Sequence, residues 1–194
     1  GSLISRLFGS GRAPLRLVAV PRDHVAGDRV RGDALLGGRL ALGSDEISLA
    51  DVDFSSLGAR SAMAREVQGF SWLRDLAASA SRDKGARLSE AIVGRWLIAH
   101  GSRIDQAWAP ELWGERIVFW TAYAPYILSG RGAGYPSALL NTLSRGARHI
   151  DATADKAAPG MPRITAWAGA LVAALTVQGA ISRLSRAESG LMRS

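Results

Sequence analysis

Trp108-Ala-Pro-Glu-Leu-Trp113-Gly-Glu-Arg116-Ile-Val-Phe-Trp120-Thr-Ala-Tyr123-Ala-Pro-Tyr126-Ile-Leu128 gathers three of the six tryptophans and two of the three tyrosines of a 194-residue chain around one arginine. Pro110 near its start, with acids at Glu111 and Glu115, marks a helix N-terminus. On that helix Arg116, Trp120, Tyr123 and Ile127 recur at i, i+4, i+7 and i+11, one continuous stripe. A guanidinium among aromatic faces needs an anion or a stacking partner. Two readings follow. Arg116 belongs to a core helix and pairs with an internal carboxylate, or the stripe is an aromatic and cationic wall for an acidic sugar.

Outward from this helix the pattern stays helical, over 62–80, 83–100, 110–129, 136–155, 162–179 and from 182 onward. Gly101, Gly130-Arg-Gly-Ala-Gly134 and Pro159-Gly-Met-Pro162 separate the segments. Short connections between long helices predict antiparallel neighbours, as in a bundle or part of an α/α toroid. Gly130–Gly134 lacks the Lys-Ser/Thr ending of a phosphate loop and follows a helix, so it reads as a turn. Ile164–Ser182 runs nineteen residues without a charge but is largely Ala and Gly. A packed helix suits it better than a membrane span. The last segment, Ser182–Ser194, has no stop signal and reads as a piece of a longer chain.

Residues 1–60 differ. Leu15–Val20 alternates and stops at Pro21, Asp28–Leu36 suggests one small helix, and Arg39–Leu42 with Ile47–Leu49 reads as a hairpin. The expected architecture is therefore mainly α, with a small α+β segment over 1–60 bracing a helical-hairpin domain over 61–194.

With 47% hydrophobic residues the chain buries one sizeable core. It has no cysteine, which excludes disulfides and thiolate chemistry, and its histidines at 24, 100 and 149 have no metal-ligand spacing. No metal or cofactor is assigned. Residues 1–60 carry eight Arg or Lys against seven acids, and residues 61–194 sixteen against ten. All but Lys84 and Lys156 of these cations are arginine, which suits planar anions such as carboxylate or sulfate, or reflects a GC-rich coding bias. No dense basic run marks a nucleic-acid binder. The N-terminus does not read as a signal peptide, leaving cytoplasm and periplasm both open.

Six blocks together resemble the N-terminal region of bacterial heparinase II/III-type proteins, a polysaccharide lyase group. They are Pro14–Pro21, Gly27–Arg39, Gly69-Phe-Ser-Trp-Leu-Arg-Asp-Leu76, Trp96-Leu-Ile-Ala-His-Gly101, Trp108–Trp120 and Ala147-Arg-His-Ile150. The resemblance implies an incomplete α/α toroid of helical hairpins, followed by a β-sandwich domain outside this chain. It implies β-elimination next to a uronic acid, in which a base takes the C5 proton while a neutraliser meets the carboxylate. Pro162 and Arg163 stand where active members carry an Asn-His pair. No catalytic residue is therefore carried over, and this chain alone is expected to be inactive. A non-catalytic acidic-glycan binder or scaffold is the alternative. The residues assigned to the acidic-sugar groove are Arg116, Trp120, Tyr123, Arg148, His149 and Arg163. His149 and His100 also fit a plainer role, favouring the dipole near a helix C-terminus, and Trp72, Trp96 and Trp167 read as core.

Overall fold

In the computed structural model, which describes residues 16–129 and 134–194, helix starts are set by capping side chains at some elements and by proline at others. Asp28 accepts the Val30 and Arg31 amides to open α1 (Arg29–Leu36). β1 (Arg39–Leu42) and β2 (Asp45–Ser48) then pair antiparallel with Leu40 opposite Ile47, around a turn in which Gly43 takes φ 60°. Asp53 caps the single turn α2 (Phe54–Leu57), and Ser61 caps α3 (Ala62–Gly69). After α4 (Trp72–Ser79), Ser81 opens the long α5 (Arg82–His100). Proline stands in the first turn of α6 (Pro110–Ala122), α7 (Ala124–Ile127), α8 (Tyr135–Thr153) and α9 (Met161–Thr176), where its missing N–H costs nothing. α10 (Leu184–Arg193) follows. The protein is thus mainly helical with one two-stranded sheet.

Two expected continuous helices are broken. The segment expected over 62–80 is split because Phe70 adopts a left-handed conformation, φ 65°. Gly69 does not take that role because Glu115 packs onto it: a Cβ at Gly69 would lie 2.5 Å from the Glu115 carboxylate. The segment expected over 110–129 breaks at Tyr123, just ahead of Pro125, which cannot donate into the helix. The strand expected over 15–20 is reduced, among the described residues, to one bridge between Leu17 and Val177 at the end of α9. Gly130–Ala133, with most of the turn expected there, lies outside the described residues, as does the N-terminal stretch through Leu15.

α6 is buried on nearly all sides rather than along one stripe. Its closest backbone neighbour is α9, three helices on, rather than the preceding α5. A Cβ at Gly169 would fall 2.3 Å from the Gly114 Cα, and one at Gly114 would fall 2.2 Å from the Thr165 carbonyl oxygen. Small residues let the two backbones touch. That contact explains the Ala/Gly-rich, uncharged composition of 164–182, and no helix among the described residues is long and apolar enough to cross a membrane. α10 packs on α9 in the same manner, with Gly190 against the Trp167 ring. Leu35, Leu40, Leu49, Val52 and Phe54 of the N-terminal segment belong to the same core as the helices.

Candidate functional site

The six residues assigned to a sugar groove do not meet in one groove. Arg116 and Trp120 are fully buried. Arg116 donates from Nε to the Gln68 carbonyl and from Nη2 to the Ala107 carbonyl, both at 3.0 Å. Its guanidinium carbon lies 4.2 Å from the Trp96 ring centre, 4.6 Å from Trp113 and 5.9 Å from Trp120. Burial pushes the guanidinium down to about 9, against the pull of Glu115 and Asp105, so it stays charged at neutral pH. The core reading holds for its position, but its direct partners are carbonyls and indole faces, and no carboxylate among the described residues forms an ion pair with it.

Tyr123 lies elsewhere. Its hydroxyl donates to Asp23 Oδ2 at 2.5 Å, and Arg74 Nε meets the same oxygen at 2.8 Å. Burial raises the Asp23 carboxyl, but the bonds from Arg74 and Tyr123 outweigh it and hold the group below its ordinary 3.8. Burial and the Asp23 charge push the Tyr123 phenol up, so it stays protonated. This triad ties the extended strap 16–28 onto α4 and α6. It does not present a base to solvent.

Arg148, His149 and Arg163 gather at one end of the bundle, where the α5–α6 and α8–α9 connections meet. Residues 106–108 there form a 3-10 turn, with the Asp105 carboxylate accepting the Ala107 amide. His149 donates from Nε2 to the Trp108 carbonyl at 2.8 Å, and Arg145 donates from Nη1 to the Gly101 carbonyl. The Arg145 guanidinium also lies over the Trp108 ring at 5.3 Å. Burial and the neighbouring Lys156 lower His149 from 6.5, although its bond to Trp108 opposes them. Arg145 is lowered by burial and then by the charge of Arg148. Arg163, which opposes the dipole of α9, is compensated by the Ala157 carbonyl, reached from Nε at 3.2 Å and Nη2 at 2.9 Å.

The acids of this end are already engaged. Asp151 faces Arg186 at 3.5 Å, Asp155 faces Arg193 at 3.3 Å, and Asp105 holds His100 at 2.8 Å. Among the described residues, no ion pair reaches Arg145, Arg148 or Lys156. Arg148 and Lys156 are exposed, and Arg145 is half-buried beside them. Of these, Arg145 and Lys156 were not assigned from sequence. The one signal for Arg145 was its spacing, a turn before Arg148 and His149 on α8.

His100, a buried residue beside Asp105, has the outline of a nucleophile-activating dyad. Its ring nitrogens lie 2.8 Å from Asp105 Oδ2 and 2.9 Å from the Phe54 carbonyl oxygen. Neither is left for a serine hydroxyl, so the dyad is a structural tie between α2 and α5 rather than an activated nucleophile. Among the described residues no group of His, Asp or Glu has the arrangement to hold a metal.

Glu115 is a titratable group of a different kind. Burial raises its carboxyl above the ordinary 4.5, and the charge of Glu66 adds to the rise, while Arg116, Arg65 and Ser71 oppose it. An acid held more firmly protonated in the folded state costs stability as pH climbs from near 4.5 through its folded value. Glu115→Gln is therefore expected to raise the unfolding free energy at pH 7 and to remove the decline that sets in as pH climbs above about 4.5. Denaturant melts of both proteins across the range would show parallel curves if Glu115 were an ordinary surface acid.

No protein-family model, curated protein or solved structure matches this chain.

Proposed function

We propose that this chain is an acidic-glycan-binding helical module, part of an incomplete α/α toroid of the heparinase II/III-like kind, which meets uronic-acid-containing polysaccharide at the basic end of the bundle. The observation that carries this reading is the pair Arg145 and Arg148. Burial and then the charge of Arg148 disfavour the Arg145 guanidinium, and among the described residues no carboxylate pairs with either, so an anion bound there would relieve the site. Trp108, packed under Arg145, makes the platform rigid.

Binding is favoured over β-elimination within this chain by what its base candidates do. The Tyr123 hydroxyl is spent on Asp23 and stays protonated. His149 is tied through its Nε2 proton to the Trp108 carbonyl, and burial lowers the basicity of the lone pair left on Nδ1. Arg163, committed to the Ala157 carbonyl, is a cation and not a base. Lyase chemistry in the intact protein would draw its base from a further domain, such as the β-sandwich that the resemblance implies.

The test is retention on immobilised polyuronate and heparan-type polymers across a salt gradient, with neutral dextran as control. Arg145→Gln with Arg148→Gln is expected to weaken binding about tenfold or more and to flatten its salt dependence. Equal retention of the double variant, or equal binding to dextran, would sink the reading. Incubation with the same polymers should release no unsaturated uronate, read by ultraviolet absorbance.

A further inference from the structure

Beside the basic end lies a cavity of about 270 Å³, lined by Ser55 and Ser56 of α2, by Gly58 just after it, and by Arg103, Asp105 and Gln106 after α5. We propose that this cavity is a terminal-ring subsite, which takes the end sugar of an acidic chain whose body lies across Arg145 and Arg148, so that the glycan is recognised end-on. The inference rests on the glycan-binding reading above and adds to it the part of the polymer that is read.

Size restricts the occupant. Drug-sized ligands need cavities of roughly 300–1,000 Å³, and at about 270 Å³ this one suits a single ring. Its polar groups restrict the chemistry further. Ser55 and Ser56 donate their hydroxyl protons to Asp53, at 2.6 and 3.0 Å, and so offer a ligand only lone pairs. Asp105 is also an acceptor, and it is fixed in place by the Ala107 amide at 2.9 Å and by His100. Against these acceptors stand the Arg103 guanidinium, whose side chain is 76% exposed and no closer than 3.8 Å to Asp105, and the Gln106 carboxamide. The ligand must therefore donate on one side and accept, preferably with negative charge, on the other. Ring hydroxyls beside a carboxylate meet both demands. Inorganic phosphate at neutral pH is mainly an acceptor and would face Asp105, while an apolar ring would answer neither the Arg103 guanidinium nor the remaining lone pairs.

Location links the cavity to the basic end. The segment 101–108 that forms one wall is the segment Arg145 and His149 hold, through the Gly101 and Trp108 carbonyls. The neighbouring cavity lined by Val52, Phe54, Arg95 and Ile98 lacks this logic, because Arg95 is already spent on the Leu49 and Val52 carbonyls.

The experiment is an amide-shift titration of the full chain with glucuronate and galacturonate, and with glucose and inorganic phosphate as controls. One of the uronates is expected to move the Ser56, Gly58 and Ala107 amides, glucose to move them less at equal concentration, and phosphate not at all. Arg103→Gln, on an exposed loop, should weaken uronate binding about tenfold, the loss of one charged hydrogen-bond pair, while leaving most of the polymer retention that depends on Arg145 and Arg148. Pocket amides that stay still with both uronates, or an Arg103→Gln variant with unchanged affinity, would overturn the subsite even if polymer retention is confirmed. Polymer retention lost without Arg145 and Arg148 while the amides remain silent leaves the basic end standing and removes the cavity alone. A silent cavity and no polymer retention would remove both.

Discussion

Gly169→Ala should be the most damaging single-methyl substitution in α9. Its new Cβ would meet the Gly114 Cα at 2.3 Å, and backbone cannot swing aside as a side chain can. α6 and α9 would have to separate, loosening the Trp113 and Trp167 packing on either side. We expect a loss of about 3 kcal/mol, or roughly 10 °C in Tm for a chain of this length. Gly94→Ala on α5 is the control, because a Cβ there meets nothing within 4 Å. It should stabilise by about 0.5–1 kcal/mol through helix propensity alone. Thermal melts of the two variants side by side decide the matter. Should both rise, α6 and α9 do not touch.

The second large effect is expected at Arg116. Truncation to alanine leaves the Gln68 and Ala107 carbonyls without their donor and opens a hole between Trp96 and Trp113. The combined cost is about 4 kcal/mol, from two lost charge-assisted bonds and a cavity. Arg116→Lys should recover at most half of that, since a single ammonium does not span two carbonyls and stack on indoles at once. Arg116→Met separates the causes, because it fills the hole and removes the buried charge but still orphans both carbonyls. Denaturant midpoints ranked Met above Lys would show that desolvation dominates; Lys above Met, that the carbonyl bonds do. An Arg116→Ala protein of wild-type stability would mean the guanidinium is not enclosed.

These two positions also show what the amino-acid sequence discloses. The helices were legible from their ends, because Ser61, Ser81, Pro110 and Pro162 act locally and Gly101 stops α5 within a residue or two. The hairpin was legible from Gly43 and its flanking alternation. Phe70 was not: the nearby glycine was consumed by packing against Glu115, a residue 46 positions on, and the left-handed turn fell on an aromatic instead. The aromatic stripe around Arg116 was legible as a stripe but not as an enclosed box. The walls of the box come from Trp96, Gln68 and Ala107, on three other segments, and no helical periodicity announces that they close over it. Arg145 carried a local signal, but its importance depends on the ion pairs that Asp151 and Asp155 make elsewhere.

The strap 16–28 has a consequence for the order in which the molecule assembles. Its ties reach far along the chain: Val18 donates to the Thr176 carbonyl at 2.8 Å, the Gln178 amide to Arg16 at 3.0 Å, and Tyr123 to Asp23. Contacts that close such long loops gain little until the intervening helices are packed. The strap is therefore expected to dock after the rate-limiting barrier, so that loosening it by Asp23→Ala speeds unfolding and leaves the folding rate unchanged in stopped-flow measurements. A segment translated ahead of every helix among the described residues is the last to take its place, a closing latch on helices that have already found one another.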